Sequence, residues 1–195
     1  MTPAAARRAR ACAALLEQVH AITAQHGNTP TALHAIKLKL VALANKPGLF
    51  PSEDFEMPTA QGRFHPLIVE DNDGLGLYLT INLPGKEAAP HDHGIWCVNA
   101  SISGAERHVF YRRTDDASVP GRAEVIKTGE VIVEPGTGMA MSDHDIHRTE
   151  VVGHEPAIGL ALYGYALPRF PTVAFYHPEF KSVRTTPSRR HAVPA

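Results

Sequence analysis

The sequence predicts a mainly β protein, an antiparallel sandwich or barrel with two helices in front of it. Three observations carry this. From His65 onward short β-rich runs follow one another, broken by Gly, Pro and Asp. No helical stretch separates those runs, so the strands must pair through turns and not through crossover helices. Before His65 the apolar residues recur at helical spacing instead.

The first helix is expected over residues 3–25, where Ala11, Leu15, Leu16, Val19 and Ile22 fall on one stripe and Gly27 supplies a stop. Arg7, Arg8 and Arg10 ahead of Ala-rich sequence imitate an export signal, but Glu17, His20 and Gln25 interrupt it and favour an amphipathic helix. The second helix has a clear start: Thr29 can cap it and Pro30 suits the first helical position. Leu33, Ile36, Leu40 and Leu43 line its face, Lys46-Pro47-Gly48 ends it, and residues 49–62 read as a connecting loop. Strands are expected near 65–70, 76–83, 94–102, 105–112, 123–127, 130–134, 138–142, 146–152 and 157–165, with Asn72-Asp73-Gly74 as a strong turn signal. After about Phe180 the chain is basic and poor in apolar residues. The expected organisation is N-terminal helices over 1–48, a barrel over 49–180 and a flexible tail over 181–195.

At 195 residues the chain can build one full core. A formal net charge of -1 and a pI near 6.9 argue against nucleic acid as a partner. No apolar run approaches the ~20 residues that span a bilayer, so no membrane partner is expected. Cys12 and Cys97 are the only cysteines and suggest no disulfide scaffold, which fits a reducing cytoplasm. An apolar sandwich face or the helices could support a homodimer.

The most informative motif is His91-Asp92-His93, followed fifty-four positions later by His147. On an extended strand an HxH pair points both imidazoles to one face. Neutral imidazole is the commonest protein metal ligand. His144 competes with His147, but His147 opens the β-rich run Arg148-Thr149-Glu150-Val151-Val152, whereas His144 sits in a polar turn. His65, His108, His154 and His177 lack such context and read as surface or packing residues. Three neutral ligands leave a divalent charge uncompensated and favour anionic exogenous ligands. An octahedral ion would keep three positions open, suiting oxygen chemistry on iron; the same set could hold zinc with one activated water.

Gly85 lies six residues before His91 and Gly104 eleven after His93, a spacing that resembles the first metal motif of the cupin superfamily. That resemblance implies a double-stranded β-helix, or jelly-roll, barrel. The ordinary cupin pattern has a glutamate ligand four residues after the second histidine, where this chain has Cys97. The exchange resembles the thiol dioxygenases, of cysteine dioxygenase and 3-mercaptopropionate dioxygenase type. Asp145-Ile146-His147-Arg148 and Ala157-Ile158-Gly159-Leu160-Ala161-Leu162-Tyr163-Gly164 are similar to that family's last ligand segment and tyrosine-bearing strand. His91-Asp92-His93-Gly94-Ile95-Trp96, ending at Gly104-Ala105-Glu106, is closer to the mercaptopropionate type.

The resemblance implies Fe(2+) held by His91, His93 and His147, with Tyr163 near substrate and oxygen. Cys97 would match the cysteine that forms a thioether with that tyrosine, and the reaction would convert a small thiol carboxylate and O2 into a sulfinate. From the residues alone, Cys97 serves equally as a small buried hydrophobe and Tyr163 as a core aromatic. Trp96 is expected beside the site. Two departures stand out. The family's serine-x-histidine-x-tyrosine reads Gly159, Ala161 and Tyr163 here, and the carboxylate-binding arginine of the early strand is missing, with Pro66 in that region. Arg63 and Arg169 are the candidate replacements, since a guanidinium fork matches a carboxylate. Another metal enzyme on the same scaffold (a carbon-oxidising dioxygenase, or a zinc or manganese lyase or isomerase) and a non-catalytic small-molecule sensor remain the alternatives.

Overall fold

The computed structural model describes residues 2–60, 62–71, 74–85, 87–167 and 173–186. Arg169, Asn72-Asp73 of the expected turn and positions 187–195 lie outside the described residues.

Helix α1 spans Pro3–His26 and α2 spans Pro30–Ala44. Each begins on a threonine cap: Thr2 accepts from the Ala5 amide at 3.2 Å and Thr29 from the Ala32 amide at 3.3 Å. A proline follows each cap, at a position whose N–H has no helical partner to lose. Gly27, at φ 62°, ends α1 in a conformation that disfavours any other residue.

Among the described residues eleven strands follow: β1 Gly62–Val69, β2 Gly76–Asn82, β3 His91–Asp92, β4 Cys97–Ser103, β5 Ala105–Arg113, β6 Val125–Val133, β7 Gly138–Met141, β8 Ile146–Val152, β9 Ala157–Tyr163, β10 Val173–His177 and β11 Ser182–Thr186. They form two antiparallel sheets, ordered β1-β2-β9-β4-β7 and β11-β10-β3-β8-β5-β6. Taken alone, β2 to β9 give β2-β9-β4-β7 opposite β3-β8-β5-β6, which is the double Greek key of a jelly roll. The expected fold, a double-stranded β-helix or jelly-roll barrel with two N-terminal helices, is the observed one.

The centre of the first sheet is buried on both faces, which shows in the unbroken burial of β2 from Gly76 to Asn82. Leu77, Leu79, Ile81, Val98, Leu160 and Leu162 meet Leu15, Leu16, Val19, Ile36 and Leu40 of the helices in one core. Alternate residues of the same strands, Tyr78, Cys97, Ala161 and Tyr163, face the barrel interior with Met139 and Met141. This second cluster makes the wall of the site.

Three expectations change. The runs 123–127 and 130–134 are one strand, because Gly129 marks a bulge and not a break: Phe110 pairs with Gly129 and Tyr111 with Lys127, leaving Thr128 extra. β10 was not expected at all. Ser182–Thr186, placed in a flexible tail by composition, pairs along its length with Val173–His177 and so belongs to the second sheet.

Candidate metal centre

His91 and His147 are direct cross-strand partners on β3 and β8, so their imidazoles start side by side. His93 follows at period two. The three ring centroids are 4.9 Å (His91–His93), 4.7 Å (His91–His147) and 5.1 Å (His93–His147) apart. One nitrogen of each ring lies within 4.8 Å of those of the other two. His93 and His147 are 9% and 2% exposed, whereas His91 is only partly buried and marks the open side. His144, the competing residue, has a side chain 91% exposed in its turn and takes no part.

The His93 and His147 nitrogens stand at a separation that one ion can share. His91 Nδ1 sits 2.8 Å from the Ala89 carbonyl, which can only accept, so Nδ1 carries a proton and in the neutral ring Nε2 is the nitrogen with the lone pair. His93 Nε2 and His147 Nε2 face each other at 3.1 Å. Two nitrogens about 2.1 Å from one ion stand about 3.0 Å apart at a right angle and about 3.4 Å apart in a tetrahedron, which brackets that separation. Protonation is also suitable. Burial, then the neighbouring imidazoles, lowers His93 to about 3 and pushes His147 well below the usual histidine range, so both present neutral rings.

Cys97 and Tyr163 are direct cross-strand partners on β4 and β9. The Tyr163 ring stands nearly parallel to His93, with centroids 5.5 Å apart, and meets the Tyr78 ring edge-to-face at 6.1 Å. Burial raises the ionisation of both Cys97 and Tyr163 far above ordinary values, so thiol and phenol stay protonated. Cys97 is a free, buried cysteine.

The missing serine has a physical reason. A Cβ at Gly159 would lie 2.8 Å from the Ala100 carbonyl of β4, so the strands approach too closely there for a side chain. Beside Gly159 is a cavity of about 20 Å³ lined by Thr80, Asn99, Ser101 and Glu106, with room for one water.

Two expected substrate contacts are elsewhere. Trp96 belongs to the core between sheet and helices, because its neighbour Cys97 takes the inward-facing parity. Arg63 pairs with Glu56 at 2.5 Å, and its neighbour Phe64 is the residue that turns inward onto Tyr78. Neither reaches the histidines. Conversely, His108, read as a surface or packing residue, packs in the interior directly beside the cluster. It is 1% exposed on β5, and its Nδ1 lies 3.3 Å from Nδ1 of His147. The available signal was parity, since His108 shares the inward face with Phe110, the cross-strand partner of His147.

No family model matches the sequence, and no curated protein matches it. Among solved structures, the DMSP lyase DddQ from Ruegeria pomeroyi DSS-3 matches at 16% identity and TM-score 0.40, over 53% of this chain and 46% of that one. An oxalate oxidase in complex with the substrate analogue glycolate matches at 16% identity and TM-score 0.39, over 52% of this chain and 46% of that one. A cupin domain of an XRE family transcriptional regulator from Enterobacter cloacae matches at 17% identity and TM-score 0.39, over 54% of this chain and 98% of that one. The chain thus spans less than half the length of the first two. No helix among the described residues is long and apolar enough to cross a membrane.

Proposed function

We propose that this chain is a non-haem iron dioxygenase that oxidises a small thiol carboxylate, of cysteine or 3-mercaptopropionate type, to its sulfinate. The observation that carries the reading is the Cys97–Tyr163 cross-strand pair standing against His93 of a three-histidine cluster. His91, His93 and His147 would hold the ion. A redox-active divalent ion on three imidazoles supplies neighbouring positions for a thiolate and for dioxygen. The balance is RS⁻ plus O2 giving RSO2⁻, with both oxygen atoms passing to sulfur.

The chain's own residues prepare that reaction. The inward face of Tyr78, Cys97, Met139, Met141 and Tyr163 excludes water from the deep side of the cluster. Tyr163 holds its proton on Oη at neutral pH, so it acts as a hydrogen-bond donor beside His93. The partly buried ring of His91 leaves the approach on its side.

The test is oxygen uptake by Fe(II)-reconstituted protein with cysteine, 3-mercaptopropionate and cysteamine, with sulfinate identified by mass spectrometry. Thiol-dependent uptake yielding sulfinate is expected. Full iron loading without any thiol-dependent uptake defeats the reading.

A second reading is favoured by Gly159 and Ala161, which leave Tyr163 without the relay of the thiol dioxygenases. It is another cupin metalloenzyme, a carbon-oxidising dioxygenase or a zinc or manganese lyase or isomerase. Activity with zinc or manganese alone would support it.

A further inference from the structure

A metal-binding imidazole needs its second nitrogen held, because the proton must sit on the nitrogen that does not face the ion. The backbone does this for His91 through the Ala89 carbonyl. Among the described residues, no carbonyl does so for His147. Its Nε2 faces His93 Nε2, and its Nδ1 points the other way, to His108 Nδ1 at 3.3 Å. The two rings lie nearly parallel, 13° apart with centroids at 5.5 Å.

The placement follows from register. Phe110 is the direct partner of His147, so His108, two residues earlier on β5, is its diagonal neighbour on the same inward face. His108 itself pairs with Thr149 of β8 and Val131 of β6, which fixes its backbone from both sides. Its Nε2 is buried and has no hydrogen-bond partner among the described residues. Among the described residues, the Nδ1–Nδ1 link to His147 is therefore its polar anchor. If His108 Nδ1 donated, His147 would carry its proton on Nε2 and lose the lone pair that faces His93. If His147 Nδ1 donates, Nε2 is free.

From this we infer that His108 is the positioning residue of the cluster: its Nδ1 accepts from His147 Nδ1–H and so fixes the tautomer and ring orientation that turn His147 Nε2 toward the ion. The inference rests on the three histidines holding an ion and is independent of which substrate is oxidised.

The test is Co(II) titration of the full chain, followed by absorbance against a competing chelator, with native protein, His147→Ala, His108→Leu and His108→Asn. Asn places a carbonyl oxygen near the position of the imidazole Nδ1 and can still accept; Leu fills the space without accepting. His108→Leu is expected to weaken Co(II) binding by about 10–100-fold, and His108→Asn to recover most of it. In the metal-free state, the ring-nitrogen NMR signals of His147 should report Nδ1–H in the native protein and in His108→Asn. In His108→Leu they should report a mixture of tautomers. His108→Leu binding as tightly as native, or His108→Asn as weakly as His108→Leu, overturns the role of His108. Native protein and His147→Ala binding Co(II) equally overturns the metal site itself, and the inference falls with it.

Discussion

Strand β3 is only two residues long, yet it carries the first ligand and aims the second. Its hold therefore comes from its neighbour. β10 pairs Phe175 with His91 and Ala174 with Asp92, and the Tyr176 amide donates to the Pro90 carbonyl at 2.7 Å. Asp92, the middle residue of the HxH motif, accepts from the Tyr176 hydroxyl at 2.7 Å. Burial first, and that bond second, push the Tyr176 phenol far above its ordinary range, so it stays a donor. Tyr176→Phe removes one O–H and nothing else. A hydrogen bond to a charged group contributes about 1.5–3 kcal/mol; because Asp92 is partly exposed, water replaces some of it and the lower end applies. A loss of about 1.5 kcal/mol in a chain of this size lowers the melting temperature by roughly 3–6 °C. The assay is thermal unfolding of the metal-free protein in a double-mutant cycle with Asp92→Asn, alongside Co(II) affinity. A coupling of about 1 kcal/mol and weaker Co(II) binding are expected. Coupling under about 0.3 kcal/mol with unchanged Co(II) affinity would refute the clamp.

Other consequences can be checked separately. His93 and His108 are held neutral, lowered to about 3 and about 4 by burial first, while the unfolded chain protonates them near 6.5. The unfolded state then binds more protons below that pH, so metal-free protein loses stability as pH falls from about 6.5 toward 4, by roughly 3 kcal/mol from His108 alone. Urea unfolding across that range measures it, and a flat profile contradicts it. Tyr163→Phe should leave Co(II) affinity unchanged and lower thiol turnover on the order of 10²-fold, read as kcat against metal content. Gly159→Ser pushes a Cβ to 2.8 Å from the Ala100 carbonyl and should destabilise by roughly 1–3 kcal/mol in urea titration. Ile36→Ala, which empties a fully buried position between helix and sheet, should cost about 2–5 kcal/mol by the same measurement.

Much of this architecture is legible in the residues. Thr29-Pro30 announces α2, and the succession of short β-rich runs broken by turn residues announces the barrel, because propensity and turn chemistry are local. The three histidines are legible too, since an HxH pair and a histidine opening a later strand are each readable in place. What fails is the assignment of faces. β2, β4 and β9 are buried on both sides, so hydrophobicity cannot say which parity meets the helices and which meets the cluster. Trp96 and Cys97 differ by one position and land on opposite faces. His108 and Tyr176 act through partners on other strands, His108–His147 and Tyr176–Asp92, and such pairing has no local signature. β10 escaped for a related reason: it is fixed by pairing with β3 and β11, which its own residues do not announce.

The charge of the centre points to the kind of ligand it would take. His93 and His147 are neutral, the Cys97 thiol and the Tyr163 phenol are held protonated, and among the described residues the cluster consists of three histidines with no carboxylate. A divalent charge placed there would lack a protein counter-ion in a low-dielectric interior, and an anion from solution is the remaining source of compensation. A thiolate meets that need, as does azide. Cys97→Glu would bring the missing charge onto the inward face of β4. At a separation of about 5 Å and an effective dielectric of about 20, it opposes an incoming anion by roughly 3 kcal/mol, on the order of 10²-fold in affinity. Azide titration of Co(II)-loaded protein measures this directly. Native protein should bind azide, and Cys97→Glu should bind it far more weakly while holding Co(II) at least as well. Equal azide affinity in the two proteins, both fully loaded, would mean that the charge of the cluster does not select its ligand.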